Sequence, residues 1–320
     1  MGCIRHDAPA GPRQWKAYDH LPEPRVKGAA VAVGSRIYYV GGLTGQNGAD
    51  PAHTQKTSDR VDVLDVPSRQ WSAGPSLPAG APRHHLAITV YAGNIYILGG
   101  YVGSHADASG ITPVATSYVL DVAGGAWRRL ADQPIARSGA AAEAIGDTIF
   151  VAGGGTDELT GVADLYAYDP RGDTWSKRRA MTSPRTHVAS CAAGGKLYVI
   201  GGWIRTPNDV ATTAAGEVYD PAADTWESLP DMPTARGAAS AVAIDDVCYV
   251  TGGFRWSGPA AAYAVTEGLA IGARTWSVYA PMIQTRQGMG VARVDDAVYV
   301  LGGSPVPGDG YTDAIDVFSR

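Results

Sequence analysis

Pairs of adjacent glycines recur along the chain at a nearly constant spacing, and this repeat limits the possible folds more than any other feature. An aromatic residue stands three positions before each pair, and an arginine stands sixteen positions before it. A repeat of about 50 residues is typical of propellers and solenoids. The pairs begin at Gly41, Gly99, Gly153, Gly201, Gly252 and Gly302. The repeat arginines are Arg25, Arg83, Arg137, Arg185, Arg236 and Arg286.

Each repeat contains signals for four short strands, because runs of small, β-branched and aromatic residues alternate with turn residues. In the fourth repeat these signals predict strands over 187–193, 196–200 and 217–219 and around Trp226. A tryptophan follows each of the first five glycine pairs, whereas Trp15 precedes the first. We therefore expect one all-β domain over residues 1–320, a six-bladed propeller with four antiparallel strands per blade. Its ring is closed by an N-terminal strand over 13–18 that completes the sixth blade.

The order of motifs within a repeat resembles the kelch repeat over nearly the whole chain. An arginine is followed by a small-residue strand, then Tyr-x-x-Gly-Gly, then a strand ending in Tyr-Asp-Pro, and a tryptophan six residues after the aspartate. Tyr168-Asp169-Pro170 and Tyr219-Asp220-Pro221 match this pattern, whereas Ala270 replaces the aspartate in the fifth repeat, where we expect irregular outer strands. Kelch propellers include adaptors, actin binders and sugar isomerases, so the fold does not give the function. The chain is similar to free-standing propellers such as the sialic-acid mutarotases.

Composition and charge exclude several classes of protein. Hydrophobic residues make up 45% of the chain and charged residues 18%, which is not typical of a disordered chain. The net charge of −5 argues against a nucleic-acid-binding surface. The sequence has no run of eighteen apolar residues and no signal-like N-terminus, so we expect no membrane association and a cytoplasmic location.

No cofactor or metal is indicated. The glycines at 153–155 end a strand and do not open a helix, which excludes a phosphate-binding loop. Cys3, Cys191 and Cys248 lack CxxC spacing, and we expect unpaired thiols and no structural zinc. An alternative metal site remains open if the long loops fold inward. Its ligands would come from His53, His84, His85, His105, Asp50 and Asp107.

The topology predicts where a ligand would bind. Strands alternate in direction, so the loops after strand b and before strand a lie on one face, which we call the arginine face. The loops after strand b are long in repeats one, two and four, where function usually resides. We expect the six arginines to bind a carboxylate there, beside walls formed by Tyr101, Trp203 and Phe254. The alternative is that these arginines bond to loop carbonyls and have a structural role.

Two histidines are candidates for acid–base chemistry, because histidine titrates near neutral pH. His85 and His187 each stand two residues after a repeat arginine, where many kelch repeats have glycine. Asp157, Glu158 and Asp209 follow strand b and act either as bases or as loop-solvating groups, while Glu143 is expected to be structural. We therefore expect a cofactor-independent isomerase, cyclase or lyase acting on a small substrate with an acidic or carbonyl group. The alternative is a protein-interaction module that captures an acidic peptide on the same face.

Overall fold

The computed structural model describes residues 12–47, 54–308 and 310–320, and it confirms the six-bladed propeller. Each blade is a sheet of four antiparallel strands, named a to d from the axis outward. Within the described ranges, no helix is long and apolar enough to cross a membrane.

The strand bounds repeat closely from blade to blade. In blade 1, strands a to d are Ala29–Val33, Arg36–Val40, Val61–Asp65 and Gln70–Ala73. In blade 2 they are Ala87–Tyr91, Asn94–Leu98, Ser117–Asp121 and Ala126–Arg129. In blade 3 they are Ala141–Ile145, Thr148–Ala152, Leu165–Asp169 and Thr174–Arg178. In blade 4 they are Ala189–Ala193, Lys196–Ile200, Gly216–Asp220 and Thr225–Leu229. In blade 5 they are Ser240–Ile244, Val247–Thr251, Thr266–Ala270 and Thr275–Val278. In blade 6 they are Gly290–Val294, Ala297–Leu301, Ala314–Ser319 and Gln14–His20. The outer strands of blade 5 are therefore regular, contrary to the expectation drawn from Ala270.

The N-terminal strand closes the ring. Gln14–His20 pairs antiparallel with Ala314–Ser319 as strand d of blade 6. The indole of Trp15 stacks on Phe318 with ring centroids 5.0 Å apart, and its N–H donates to the hydroxyl of Thr266 in blade 5. The prediction that the segment around Trp15 completes the sixth blade is confirmed.

The glycine pairs are required because neighbouring blades approach each other closely. Gly41 and Gly42 both have positive φ, which favours glycine. A Cβ atom on Gly41 would collide with the carbonyl oxygen of Arg83 in the next blade. The N–H of Gly42 donates to that same oxygen at 2.9 Å. The equivalent bond from Gly303 to Arg25 joins blade 6 to blade 1.

Short hairpins extend four of the loops that follow strand b on the arginine face. They occur in blades 1, 2 and 4, where long loops are predicted, and also in blade 5, where a short loop is predicted. The paired segments are Leu43–Thr44 with Lys56–Thr57, Tyr101–Val102 with Thr112–Pro113, Trp203–Arg205 with Val210–Thr212, and Phe254–Arg255 with Ala261–Ala262.

A disulfide joins blades 4 and 5, which contradicts the expectation of unpaired thiols. Cys191 lies in strand a of blade 4 and Cys248 in strand b of blade 5, with 6.3 Å between their Cα atoms. The two residues are 57 positions apart and belong to different repeats, so sequence spacing gives no sign of the pair. Only the packing of one blade against the next brings them together.

The six a strands enclose a central channel of about 460 Å³. Its walls are mostly alanine, glycine and valine, since little space is available near the axis. Glu143 is an exception, and it accepts a hydrogen bond from the hydroxyl of Ser190 at 2.8 Å. Burial raises the pKa of Glu143 to about 7.

Candidate functional site

The six repeat arginines are part of the scaffold. Each is at most 1% exposed. Arg185, for example, donates to the carbonyl oxygens of Gly201 at 3.2 Å and Ala215 at 2.7 Å, and its other terminal nitrogen lies 2.8 Å from Glu217. The expectation that the arginine guanidinium groups face a ligand is therefore corrected, because these donors are bonded within their own blades. The alternative that they bond to loop carbonyls describes the structure.

A residue in strand c accompanies each arginine. In four blades it is an acid that forms a buried ion pair with the arginine: Asp62, Glu217, Glu267 and Asp316. In blades 2 and 3 it is a tyrosine, and the guanidinium groups of Arg83 and Arg137 lie over the rings of Tyr118 and Tyr166 at 5.1 and 5.3 Å. Burial lowers the pKa of Arg83 and of Arg137 to about 10, so both remain charged at neutral pH.

The mouth of the channel on the arginine face is formed by the residues two positions after each arginine, which we call the mouth ring. All six have left-handed backbone conformations, with φ between 49° and 61°. Five inter-blade N–H···O bonds connect them, such as that from His85 to the carbonyl of Lys27 at 2.8 Å. The mouth ring consists of Lys27, His85, Gly139, His187, Ala238 and Gly288.

Four members of the mouth ring are not glycine, although this conformation favours glycine. A non-glycine residue in the left-handed region costs about 1–2 kcal/mol, and such strain is often found at functional sites. Three of the four, Lys27, His85 and His187, line one pocket. The strained positions of the ring therefore supply three of the polar residues of the candidate site.

This mouth pocket has a volume of about 270 Å³ and is lined by both ring and loop residues. Its size suits a small organic molecule. The lining residues are Lys27, His85, Tyr101, His105, Glu158, Leu159, His187, Trp203, Trp256, Gln287 and Gly308.

The structure brings together six of the residues named from sequence, namely His85, His187, Tyr101, Trp203, His105 and Glu158. The imidazole of His187 stacks on the indole of Trp203 with ring centroids 4.1 Å apart. Phe254 is buried behind this wall, where it contacts Trp203 edge to face at 5.9 Å. It supports the pocket and does not line it.

His85 and His187 are neutral at pH 7. Burial, with a smaller effect of the nearby Lys27, lowers the pKa of His187 to about 3. Burial lowers the pKa of His85 well below its ordinary value, and repulsion from His187 and His84 adds to this effect. A neutral imidazole has a lone pair that can accept a proton, and the lowered pKa makes each of these two a weaker base than free histidine. Burial also raises the pKa of Tyr101 to about 12, so its phenol remains a hydrogen-bond donor.

Sequence reasoning missed Lys27 among the residues that line the pocket. Lys27 stands two positions after Arg25, the same register that singled out His85 and His187, so the signal was present. His105 and Glu158 come from loops of blades 2 and 3, and Nε2 of His105 lies 3.4 Å from Oε1 of Glu158. No repeat pattern relates residues in these loops. Trp256 lies in the turn of the blade 5 hairpin, directly after its first strand.

The remaining candidates have local roles. Asp157 accepts hydrogen bonds from the N–H groups of Leu159 and Thr160, and Asp209 accepts one from Val210. Over residues 12–47, 54–308 and 310–320, no three His, Cys, Asp or Glu side chains are grouped as metal ligands. His53 and Asp50, named for the alternative metal site, lie outside these ranges.

Comparison with known proteins agrees with this architecture. The model of the KLHDC2/KLHL20/DRC7 Kelch-repeats domain matches residues 12–202 and 109–303. The chain therefore belongs to the kelch-repeat family. The solved structure of YjhT superposes with a TM-score of 0.76 at 17% identity, covering 92% of this chain and 95% of that one, which shows a shared fold.

Curated relatives match over shorter segments. Kelch-like protein terF of Aspergillus terreus is 33% identical over 150 residues, which are 46% of this chain and 31% of that protein. An F-box/kelch-repeat protein of Arabidopsis thaliana is 32% identical over 89 residues, covering 27% and 22% of the two chains. The matched segments thus span less than a third of the length of these relatives.

Proposed function

We propose that the chain is an enzyme that binds a small organic molecule with a carboxylate or carbonyl group in the mouth pocket and rearranges it by acid–base chemistry without a cofactor. The observation that carries the proposal is the mouth ring. Lys27, His85 and His187 occupy strained, glycine-favouring positions and all face one small aromatic-walled pocket. Stability alone favours glycine at these positions, whereas a binding site gives a reason for cationic and basic side chains.

Each group has a role in this chemistry. The ammonium group of Lys27 attracts a carboxylate or stabilises an oxyanion that develops on a carbonyl. His85 or His187, both neutral, accepts a proton from the carbon next to the carbonyl. Tyr101 donates a hydrogen bond, and Trp203 forms an apolar wall that limits access of water.

Proton removal next to a carbonyl gives an enolate, and three outcomes follow from it. Return of the proton to another face or atom is isomerisation. Loss of a leaving group from the next carbon is elimination, and attack of the enolate carbon on an electrophile in the same molecule is cyclisation. Each of these reactions uses only a base, a proton donor and stabilisation of the oxyanion.

A thermal-shift screen of small 2-oxo acids, hydroxy acids and sugar acids tests the binding step, because a ligand that binds only the folded state raises its stability. We expect at least one acid to stabilise the wild type, and Lys27→Met to lower its affinity by about tenfold or more, as for a lost charge-assisted hydrogen bond. Lys16→Met is the matched control, since Lys16 is exposed on the outer strand of blade 6. Equal affinity in Lys27→Met and Lys16→Met would contradict the proposal.

A second candidate is an interaction module for acidic peptides. It is supported by exposed apolar residues beside the mouth pocket, since Trp256 is 44% and Val306 50% exposed. The similarity to F-box/kelch-repeat proteins points the same way. An acidic peptide included in the same screen separates the two: stabilisation by peptides alone favours the module.

A further inference from the structure

His84 has no part in the proposed chemistry, yet it contacts the proposed base directly. Its side chain is buried, and its Nδ1 lies 2.6 Å from Nδ1 of His85. Its other ring nitrogen, Nε2, lies 3.1 Å from the carbonyl oxygen of Gly103 in the hairpin of blade 2. Both ring nitrogens of His84 are thus within hydrogen-bonding distance of a partner.

These distances determine the positions of the protons. A carbonyl oxygen can only accept, so Nε2 of His84 carries a hydrogen and donates to Gly103. His84 is neutral, because burial lowers its pKa well below the ordinary value and nearby Lys27 acts in the same direction. Its Nδ1 therefore has a lone pair and accepts. The facing Nδ1 of His85 must then be the donor.

The consequence falls on the remaining nitrogen of His85. A neutral imidazole carries one ring hydrogen, and in His85 that hydrogen is on Nδ1. Nε2 of His85, on the far side of the ring from His84, then has the lone pair. His85 is one of the residues that line the mouth pocket.

We propose that His84 is a positioning residue that locks His85 in the tautomer protonated on Nδ1, so that Nε2 serves as the base of the mouth pocket. The role of Nε2 as a base rests on the proposed function, whereas the tautomer of His85 can be tested without it. The selected tautomer is the less favoured one in free histidine, so a fixed acceptor such as His84 is needed to hold it. His187 packs against the other side of His85, with ring centroids 4.8 Å apart and near-perpendicular planes.

The test is nitrogen-detected NMR of the full chain labelled with ¹⁵N only in histidine, recorded at pH 7.5 without ligand. The protonated and unprotonated ring nitrogens of a neutral histidine resonate far apart, so each tautomer is read directly. His84→Phe keeps a flat ring but removes the acceptor. His84→Asn places an amide oxygen close to the original Nδ1 position and restores an acceptor. The resonances of the two histidines are assigned from His84→Phe and His85→Phe.

We expect His84 protonated on Nε2 and His85 on Nδ1 in the wild type. In His84→Phe, His85 should shift to the Nε2-protonated form, and in His84→Asn it should return to the Nδ1-protonated form. A wild-type His85 protonated on Nε2, or a tautomer unchanged in a folded His84→Phe, would overturn the proposal.

The spectra need no substrate, which keeps this inference separate from the proposed function. If the tautomers are as expected but no small acid binds, the proposed function fails and the role of His84 in fixing the tautomer stands. If a small acid binds and reacts but His85 is protonated on Nε2, the proposed function stands and the role of His84 is wrong.

Discussion

Nη2 of Arg185 lies 2.8 Å from Oε1 of Glu217, and both side chains are buried inside blade 4. Removing the acid would leave a guanidinium charge without its partner in a medium of low polarity. We expect Glu217→Ala to lower the free energy of unfolding by about 3–5 kcal/mol, measured by urea denaturation.

A matched control for this prediction lies in the same blade. Glu227 pairs with Arg274 on the outer surface, where both side chains are about half exposed. Glu227→Ala should cost far less than Glu217→Ala, because water screens an exposed ion pair. Similar losses in the two variants would show that the arginine ion pairs are not the structural elements described above.

The ion pair between Arg185 and Glu217 also shows which features of the fold could be predicted from the sequence. The phase of Arg185 relative to Gly201 was sufficient to predict the blade, its four strands and the face on which the arginines lie. The direction of the side chain was not predictable, because an arginine at that position reaches either outward to a ligand or back to carbonyls. Glu217 decides which way the Arg185 side chain points. Glu217 is distant in sequence and has no fixed counterpart in the other repeats, since tyrosine takes its place in blades 2 and 3.

The candidate site likewise has residues that could be predicted from the sequence and contacts that could not. His85 and His187 could be found because their register departs from the glycine usual in the family. The contact between His105 and Glu158 depends on how two irregular loops fold towards each other, which no repeat encodes. Cys191 and Cys248 could not be paired for a similar reason, because the packing between blades has no local sequence signal.

Glycine substitutions at two alanines of blade 5, one in the mouth ring and one in strand a, should have opposite effects on the free energy of unfolding. Ala238 has φ of 50°, so Ala238→Gly should raise the free energy of unfolding by about 0.5–1 kcal/mol as strain is relieved. Ala241→Gly, in the regular strand a of the same blade, should lower it by about the same amount. Urea denaturation of both variants checks the signs, and destabilisation by Ala238→Gly would count against strain in the ring.

The disulfide gives a prediction about chemistry and stability together. Thiol titration of the unfolded, unreduced protein should find one free thiol among the three cysteines. The Cys191→Ala/Cys248→Ala double variant should be less stable by about 2–4 kcal/mol, since the cross-link restricts the unfolded chain. A reducing agent should weaken the wild type but not the double variant. Three free thiols in the unreduced wild type would contradict the pairing.

Glu143 predicts a dependence of stability on pH. Its pKa is raised to about 7 in the folded protein, so between pH 4.5 and 7 the folded state holds a proton that the unfolded state has released. The free energy of unfolding therefore falls as the pH rises from 4.5 to 7, and above pH 7 this loss is complete.

The difference between Glu143→Gln and the wild type isolates this effect from other titrating groups. Glu143→Gln should be more stable than the wild type by about 2 kcal/mol at pH 8 and nearly equal to it at pH 4.5. Glu23→Gln changes a surface acid beside Arg60 and serves as the control. A stability difference for Glu143→Gln that is the same at both pH values would show that Glu143 titrates normally.

The central claim is that His85 removes a proton from a small carbonyl compound in the mouth pocket. The most direct measurement is hydrogen–deuterium exchange at the carbon next to the carbonyl, followed by proton NMR in D₂O, for each acid that stabilises the protein. We expect the wild type to catalyse exchange for at least one of them, and His85→Gln to slow it by about 10²–10⁴-fold. Exchange at an equal rate in a folded His85→Gln variant, or none with any stabilising acid, would contradict the account.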